Sequence, residues 1–374
     1  MNMFPAFDPI PLPAPVWLFK VLHVLTLALH FSAMQMLVGG LLLALGLNLR
    51  GAGGQGAVAL ARRDAASVLG RRLPIVMTYV INLGVPPLLF AQVLYGPALY
   101  TSSVLIGAWW ISIIVLLTLG YWLLYRFSAG CETGKSVWWI GALVWLIVAA
   151  IGKIYTTNMT LMLRPEVWQG MYAASAHGVR LPPSDPTMMP RWLCMMVGGL
   201  TVVGVWMVWL AGRTAFERPV RECLAKTGGL TMVIGMLVQA GCALWVYRAL
   251  SPEVQGKLGS NLIYNGTGLA WLALAAVTVV LGLWNWLKQP ASALAAWVAA
   301  LVGFLGVACL TLYRDGIRDV TLLTKNYDVW NQPVAVNWSV LILFLVLFVV
   351  GLGMLGWLIS VMVRAKPVSG KVTA

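Results

Sequence analysis

The chain has 374 residues, of which 60% are hydrophobic and 10% charged, and carries a formal net charge of +14. That balance excludes a soluble globular enzyme, and the continuity of the apolar runs excludes a transmembrane β-barrel, whose strands alternate. Most of the positive charge falls in alternate loops, where it sets membrane topology, so nucleic acid is not an expected partner.

The opening stretch, MNMFPAFDPIPLPAP, has neither a basic start nor a small-residue cleavage site, and no removable signal peptide is predicted. Nine apolar segments follow, at about 16–47, 74–98, 103–126, 136–157, 190–213, 228–250, 265–287, 291–313 and 337–363. They predict an all-α polytopic transmembrane bundle of about nine helices, forming a single domain over 1–374. The first segment would be about 48 Å long as a helix against a hydrocarbon core of about 30 Å, which places Trp17 and Lys20 at the interface.

That same segment carries His23 and His30. A spacing of nearly two turns puts both imidazoles on one stripe, about 10 Å apart along the axis. A bundle-facing histidine in a membrane helix serves either as an axial ligand of haem iron or as a hydrogen-bond partner of a neighbouring helix. In the second segment, Asn82 and the Pro86–Pro87 pair predict a kink. Lys153, inside the fourth segment, is expected to snorkel to the nearby membrane surface.

Loop charges set the orientation. Arg50, Arg62, Arg63, Arg71, Arg72, Arg126, Lys135, Arg213, Arg218, Arg221, Lys226 and Lys288 fall in one set of loops, and Arg364, Lys366 and Lys371 in the tail. That side is expected to be cytoplasmic, with the N-terminus outside and the C-terminus inside a bacterial cytoplasmic membrane. The opposite loops are mixed in sign and include two long ones, about 158–190 with His177, and about 314–337 with Arg314, Asp315, Arg318 and Asp319. All eleven acidic residues are assigned to loops or span ends, so no membrane-embedded carboxylate is expected. Five scattered cysteines (Cys131, Cys194, Cys223, Cys242 and Cys309) include no CxxC or CxxCH, which argues against a c-type haem or an iron–sulfur cluster.

Four stretches in order resemble subunit I of the cytochrome bd quinol oxidases, mainly over 1–213: LHFSAMQMLVGGLLLAL around His30, INLGVPPLLFAQVLYGPALYTSS, IYTTNMTLMLRPEVW, and DPTMMPRWLCMMVGGLTVVGVW. The resemblance implies nine spans, with 214–374 supplying the last four helices, and makes His30 the ligand of a high-spin haem b. It also marks departures. Cys194 stands where the family has a low-spin haem histidine, and NGTGLAWLALAAVTVVLG lacks the methionine that completes that site. A short connection, about 250–265, replaces the quinol-binding loop, and Gln92 takes the place of a glutamate on the second helix.

The candidate cofactor contacts are therefore His30 and His23 as iron ligands, with Arg191 and Gln92 beside them. Arg191 would face a haem propionate or a Cys194 thiolate. Gln92, a neutral amide, hydrogen-bonds but does not transfer protons. The expectation is a membrane subunit of a respiratory or electron-transfer assembly with one or two b-type haems. Its expected partners are membrane lipid and a second membrane subunit or a cytochrome at the outer face. The competing reading is a cofactor-free scaffold that docks a partner protein, and a transporter ranks behind both.

Overall fold

A computed structural model describes residue 4, residues 10–288 and residues 292–364, so the expected basic tail positions Lys366 and Lys371 lie outside it. The helices in chain order are α1 (Val16–Ala52), α2 (Ala57–Gly70), α3 (Leu73–Leu105), α4 (Gly107–Glu132), α5 (Trp138–Leu161) and α6 (Pro165–Ala174). They continue with α7 (Met188–Ala211), α8 (Arg218–Ala249), α9 (Pro252–Ser260), α10 (Leu262–Leu287), α11 (Ala293–Leu323) and α12 (Trp338–Arg364). Among the described residues nine helical spans are long and apolar enough to cross a membrane, and no strand forms beyond one isolated bridge between Leu12 and Val334.

α7 is the most buried span, and α1 packs on both α3 and α7. The α1–α7 approach depends on glycine: a Cβ at Gly39 would fall on the Gly199 carbonyl oxygen, so the two backbones meet directly. At the far end of α1, Arg63 of α2 donates to the Gly51 carbonyl at 2.9 Å, satisfying a carbonyl that the helix end leaves open.

α3 bends where proline removes a donor, but not at the expected pair. Helical geometry holds through Pro86 and Pro87 and fails at Tyr95 (φ −127°, ψ 23°), two residues before Pro97. Pro97 has no N–H to bond the Val93 carbonyl, and its ring crowds that carbonyl, so the helix gives way within the preceding turn. The Leu94 carbonyl at the bend accepts from the Tyr327 hydroxyl at 3.1 Å and from Gln332 Nε2 at 2.8 Å. The same loop pairs with the start of the chain, with Leu12 N donating to the Pro333 carbonyl at 2.8 Å and Ala335 N to the Leu12 carbonyl at 2.9 Å.

The stretch expected as a loop over 314–337 begins as helix, because α11 continues to Leu323. This corrects the absence of embedded carboxylates expected from the sequence: Asp315 and Asp319 sit on α11 at 1% and 6% exposure.

Candidate cofactor site

The two histidines of α1 dock on α3 in register. His23 Nδ1 lies 3.0 Å from the Pro87 carbonyl and His30 Nδ1 lies 3.1 Å from the Val80 carbonyl. The helices run antiparallel, so a seven-residue step on one matches a seven-residue step on the other. A carbonyl only accepts, so each Nδ1 carries the proton and each Nε2 is the free lone pair.

The two rings then differ. Arg318 Nη1 donates to His23 Nε2 at 3.0 Å, which occupies the lone pair that a metal would need. His30 Nε2 has no such partner among the described residues, and its ring lines a cavity of about 350 Å³. The expected pair of ligands therefore reduces to one: His23 lines the same cavity, but both its nitrogens are committed to protein groups. Gly84 lets α1 come this close, since a Cβ there would stand 3.0 Å from His30 Cε1.

The cavity lies among α1, α3, α4, α5, α7 and α11. Its walls are mainly aliphatic, aromatic and thioether groups, including Met34, Leu88, Trp192 and Met196; its charged groups are Arg314 and Arg318. Arg318 is neutralised in part by Asp315, 3.5 Å away. Arg314 has no carboxylate at ion-pair distance among the described residues, and its guanidinium stacks 5.1 Å from the Phe31 ring centre.

Behind His23 lies a network that the sequence reading missed. Lys20 Nζ bridges Asp315 Oδ2 at 2.5 Å and Asp319 Oδ2 at 2.6 Å. It also donates to the Tyr95 oxygen at 2.8 Å. The Tyr95 hydroxyl faces Asp315 Oδ1 at 2.9 Å and Asp319 Oδ1 at 2.8 Å, and with one proton it donates to one carboxylate at a time. Tyr264 and Trp330 donate to Asp319 Oδ2 at 3.2 Å and 3.0 Å. Lys20 and Arg318 against Asp315 and Asp319 make a neutral set, which is the condition for burying four charges together. The signal lay in RDGIRD: read as helix rather than loop, Asp315 and Asp319 share one face, and Arg314 and Arg318 the adjoining one.

The other expected positions are dispersed. Ala91 lines the large cavity, but Gln92 does not, because one helical step turns it about 100° off that wall. Arg191 and Cys194 line a smaller adjoining cavity instead. Cys194 Sγ is 4.0 Å from the Gln239 carbonyl, a weak contact of a buried thiol. Lys153 reaches Met189 Sδ at 2.7 Å, at the start of α7, and His177 is exposed in its loop.

Three or more histidine, cysteine or carboxylate side chains positioned to hold a bare metal ion occur nowhere among the described residues. A porphyrin supplies four nitrogens of its own, so haem iron asks the protein for only one or two axial ligands. One oriented imidazole, an apolar cavity of ligand size and a guanidinium on its wall with no carboxylate at ion-pair distance among the described residues fit that requirement.

The molecule is thus an all-α, multi-pass membrane bundle. Its arrangement is that of the bd oxidases: the chain is similar to a chain of the bd oxidase from Geobacillus thermodenitrificans, with a TM-score of 0.67 over 96% of this chain and 100% of that one, at 13% identity. No family model and no curated protein sequence matches the chain. At that identity the likeness is one of fold.

Proposed function

We propose that the chain is an integral membrane subunit of a respiratory or electron-transfer complex and holds a b-type haem in the large cavity through His30. The observation that carries this reading is the His30 ring, held by the Val80 carbonyl with Nε2 left over on the wall of a mainly apolar cavity. Backbone anchoring of Nδ1 fixes the tautomer and the ring plane, as in other histidine ligands. The bd-type fold adds support. When bound, a b-type haem supplies one-electron chemistry at its iron.

The protein's own contributions follow from the lining. Apolar and thioether side chains exclude water, Arg314 offers a counter-charge to a propionate, and His23 with Arg318 closes one end of the cavity. The distribution of basic residues among the loops supports an orientation with the N-terminus outside and the C-terminus in the cytoplasm. A purified, reduced sample grown with adequate haem is expected to show a Soret band that His30→Ala abolishes and His23→Ala retains. A colourless wild type under those conditions overturns the reading.

A docking role accompanies it. No side chain of Trp338–Val361 in α12 is fully buried within the chain, so this helix presents most of its apolar surface to lipid or to another membrane subunit.

A further inference from the structure

A smaller cavity, about 70 Å³, adjoins the large one across Thr156, Met159, Met195 and Arg314, which line both. It is set between α5, α7, α8 and α11. Three donor groups line it: two have a buried polar atom with no hydrogen bond, and the third has only an aromatic ring beside it. Arg191 Nε and Thr160 Oγ1 are buried and make no hydrogen bond among the described residues, and Thr160 is only 4% exposed. Arg314 is the third, with no carboxylate at ion-pair distance among the described residues.

Among the described residues, no acidic side chain lines this cavity. Asp185, the acidic residue nearest Arg191 in sequence, is occupied by Arg164 at 3.6 Å and by the Thr187 hydroxyl at 2.6 Å. Two guanidiniums are therefore drawn together in a low-dielectric setting, with Asp185 acting on Arg191 and Asp315 on Arg314 only from beyond ion-pair distance, so a negative group at the cavity lowers the cost. Guanidinium N–H groups donate only, and a hydroxyl completes a set matched to oxygen acceptors. A water molecule takes about 30 Å³ in the liquid, so the space suits one small polar head rather than a whole ligand.

We infer that this cavity is an oxyanion site for a single carboxylate or phosphate group, held by Arg191, Arg314 and Thr160. Two sources share that chemistry. One is a propionate of a haem seated in the large cavity, and this source rests on the reading given under Proposed function. The other is the phosphate of an anionic lipid whose chains lie along Ala243, Val246 and Leu310.

The test has two arms, each run on wild type, Arg191→Gln, Thr160→Val and Lys153→Gln. In the first, haem and haem dimethyl ester, whose carboxylates are blocked, are titrated by absorbance. In the second, protein in nanodiscs of phosphatidylcholine with a minority of phosphatidylglycerol is analysed by native mass spectrometry for retained phosphatidylglycerol. Wild type is expected to favour haem over its dimethyl ester, or net-anionic phosphatidylglycerol over zwitterionic phosphatidylcholine, by about tenfold or more, the scale of charge-assisted hydrogen bonds. Arg191→Gln and Thr160→Val are expected to erase that preference, and Lys153→Gln to keep it. Thr160→Val removes one hydroxyl at nearly constant volume, so it decides the matter if Arg191→Gln fails to fold. No preference in either arm, or a preference that survives Thr160→Val, overturns the inference. A chain that binds no haem yet loses phosphatidylglycerol on these substitutions would sink the haem reading and leave this site standing.

Discussion

The direction of the His30 ring is set by two features of α3 that involve no side chain: the Val80 carbonyl, and the space left by Gly84. Gly84→Ala separates site geometry from stability. Glycine to alanine within a helix ordinarily stabilises by about 0.5–1 kcal/mol, because glycine has more backbone entropy to lose. Here the new methyl would stand 3.0 Å from His30 Cε1, so the ring must shift by a few tenths of an ångström. The variant is expected to keep or slightly raise its melting temperature while haem affinity falls roughly 10–100-fold, the range seen when a ligand's supporting contact is lost. Thermal denaturation beside haem titration checks this, and unchanged affinity would contradict it. At this scale the sequence disclosed the histidines through their spacing but not the difference between them. That difference comes from Arg318, far along the chain, and from backbone carbonyls, which any residue type supplies.

At the scale of elements, the informative case is α11. Its charged turn reads as a loop because Arg314, Asp315, Arg318 and Asp319 look solvated, and Gly316 among them resembles a break. Helical geometry instead carries both carboxylates to Lys20 and Tyr95, with Tyr95 fully buried. Such a set is stable only when complete: removing one member of a buried ion cluster costs about 3–5 kcal/mol, because it strands a partner's charge. Lys20→Met or Asp315→Asn should each lower stability by that amount, and the double variant should cost less than the sum of the two, as measured by thermal unfolding in detergent. Additive effects would mean that the charges do not act as a unit.

The loop that follows α11 answers to pH. Burial pushes the Tyr327 phenol up to about 12, from the ordinary value of 10. The folded state thus favours the protonated hydroxyl that donates to the Leu94 carbonyl. That contribution is fully present below pH 10 and is lost as pH rises towards 12. Hydrogen exchange of residues 324–337 should therefore stay slow to about pH 10, after correction for the intrinsic rate, and quicken above it. Tyr327→Phe should remove the step. The kink at Tyr95 belongs to the same lesson: prolines announce that α3 bends, but three candidates lie in one helix, and only the Leu94 carbonyl's partners fix which one yields.

For the whole molecule, the sequence was most legible where lipid dictates the answer. Apolar length and loop charge require helical spans, and nine such spans appear among the described residues. The bd-type arrangement was legible from the order of four stretches around His30, Pro86, Asn158 and Arg191, and the fold agrees over 96% of the chain. What the order of segments did not disclose is the cavity, because its walls come from six helices that lie far apart in the chain.

Ligand replacement tests the proposed bond from His30 Nε2 to haem iron. His30→Gly, purified with haem supplied and reduced, is recorded before and after adding free imidazole. The Soret band is expected to be lost or shifted in the variant and to return with imidazole to the wild-type position. An unaltered wild-type spectrum in His30→Gly, before any imidazole is added, would contradict it.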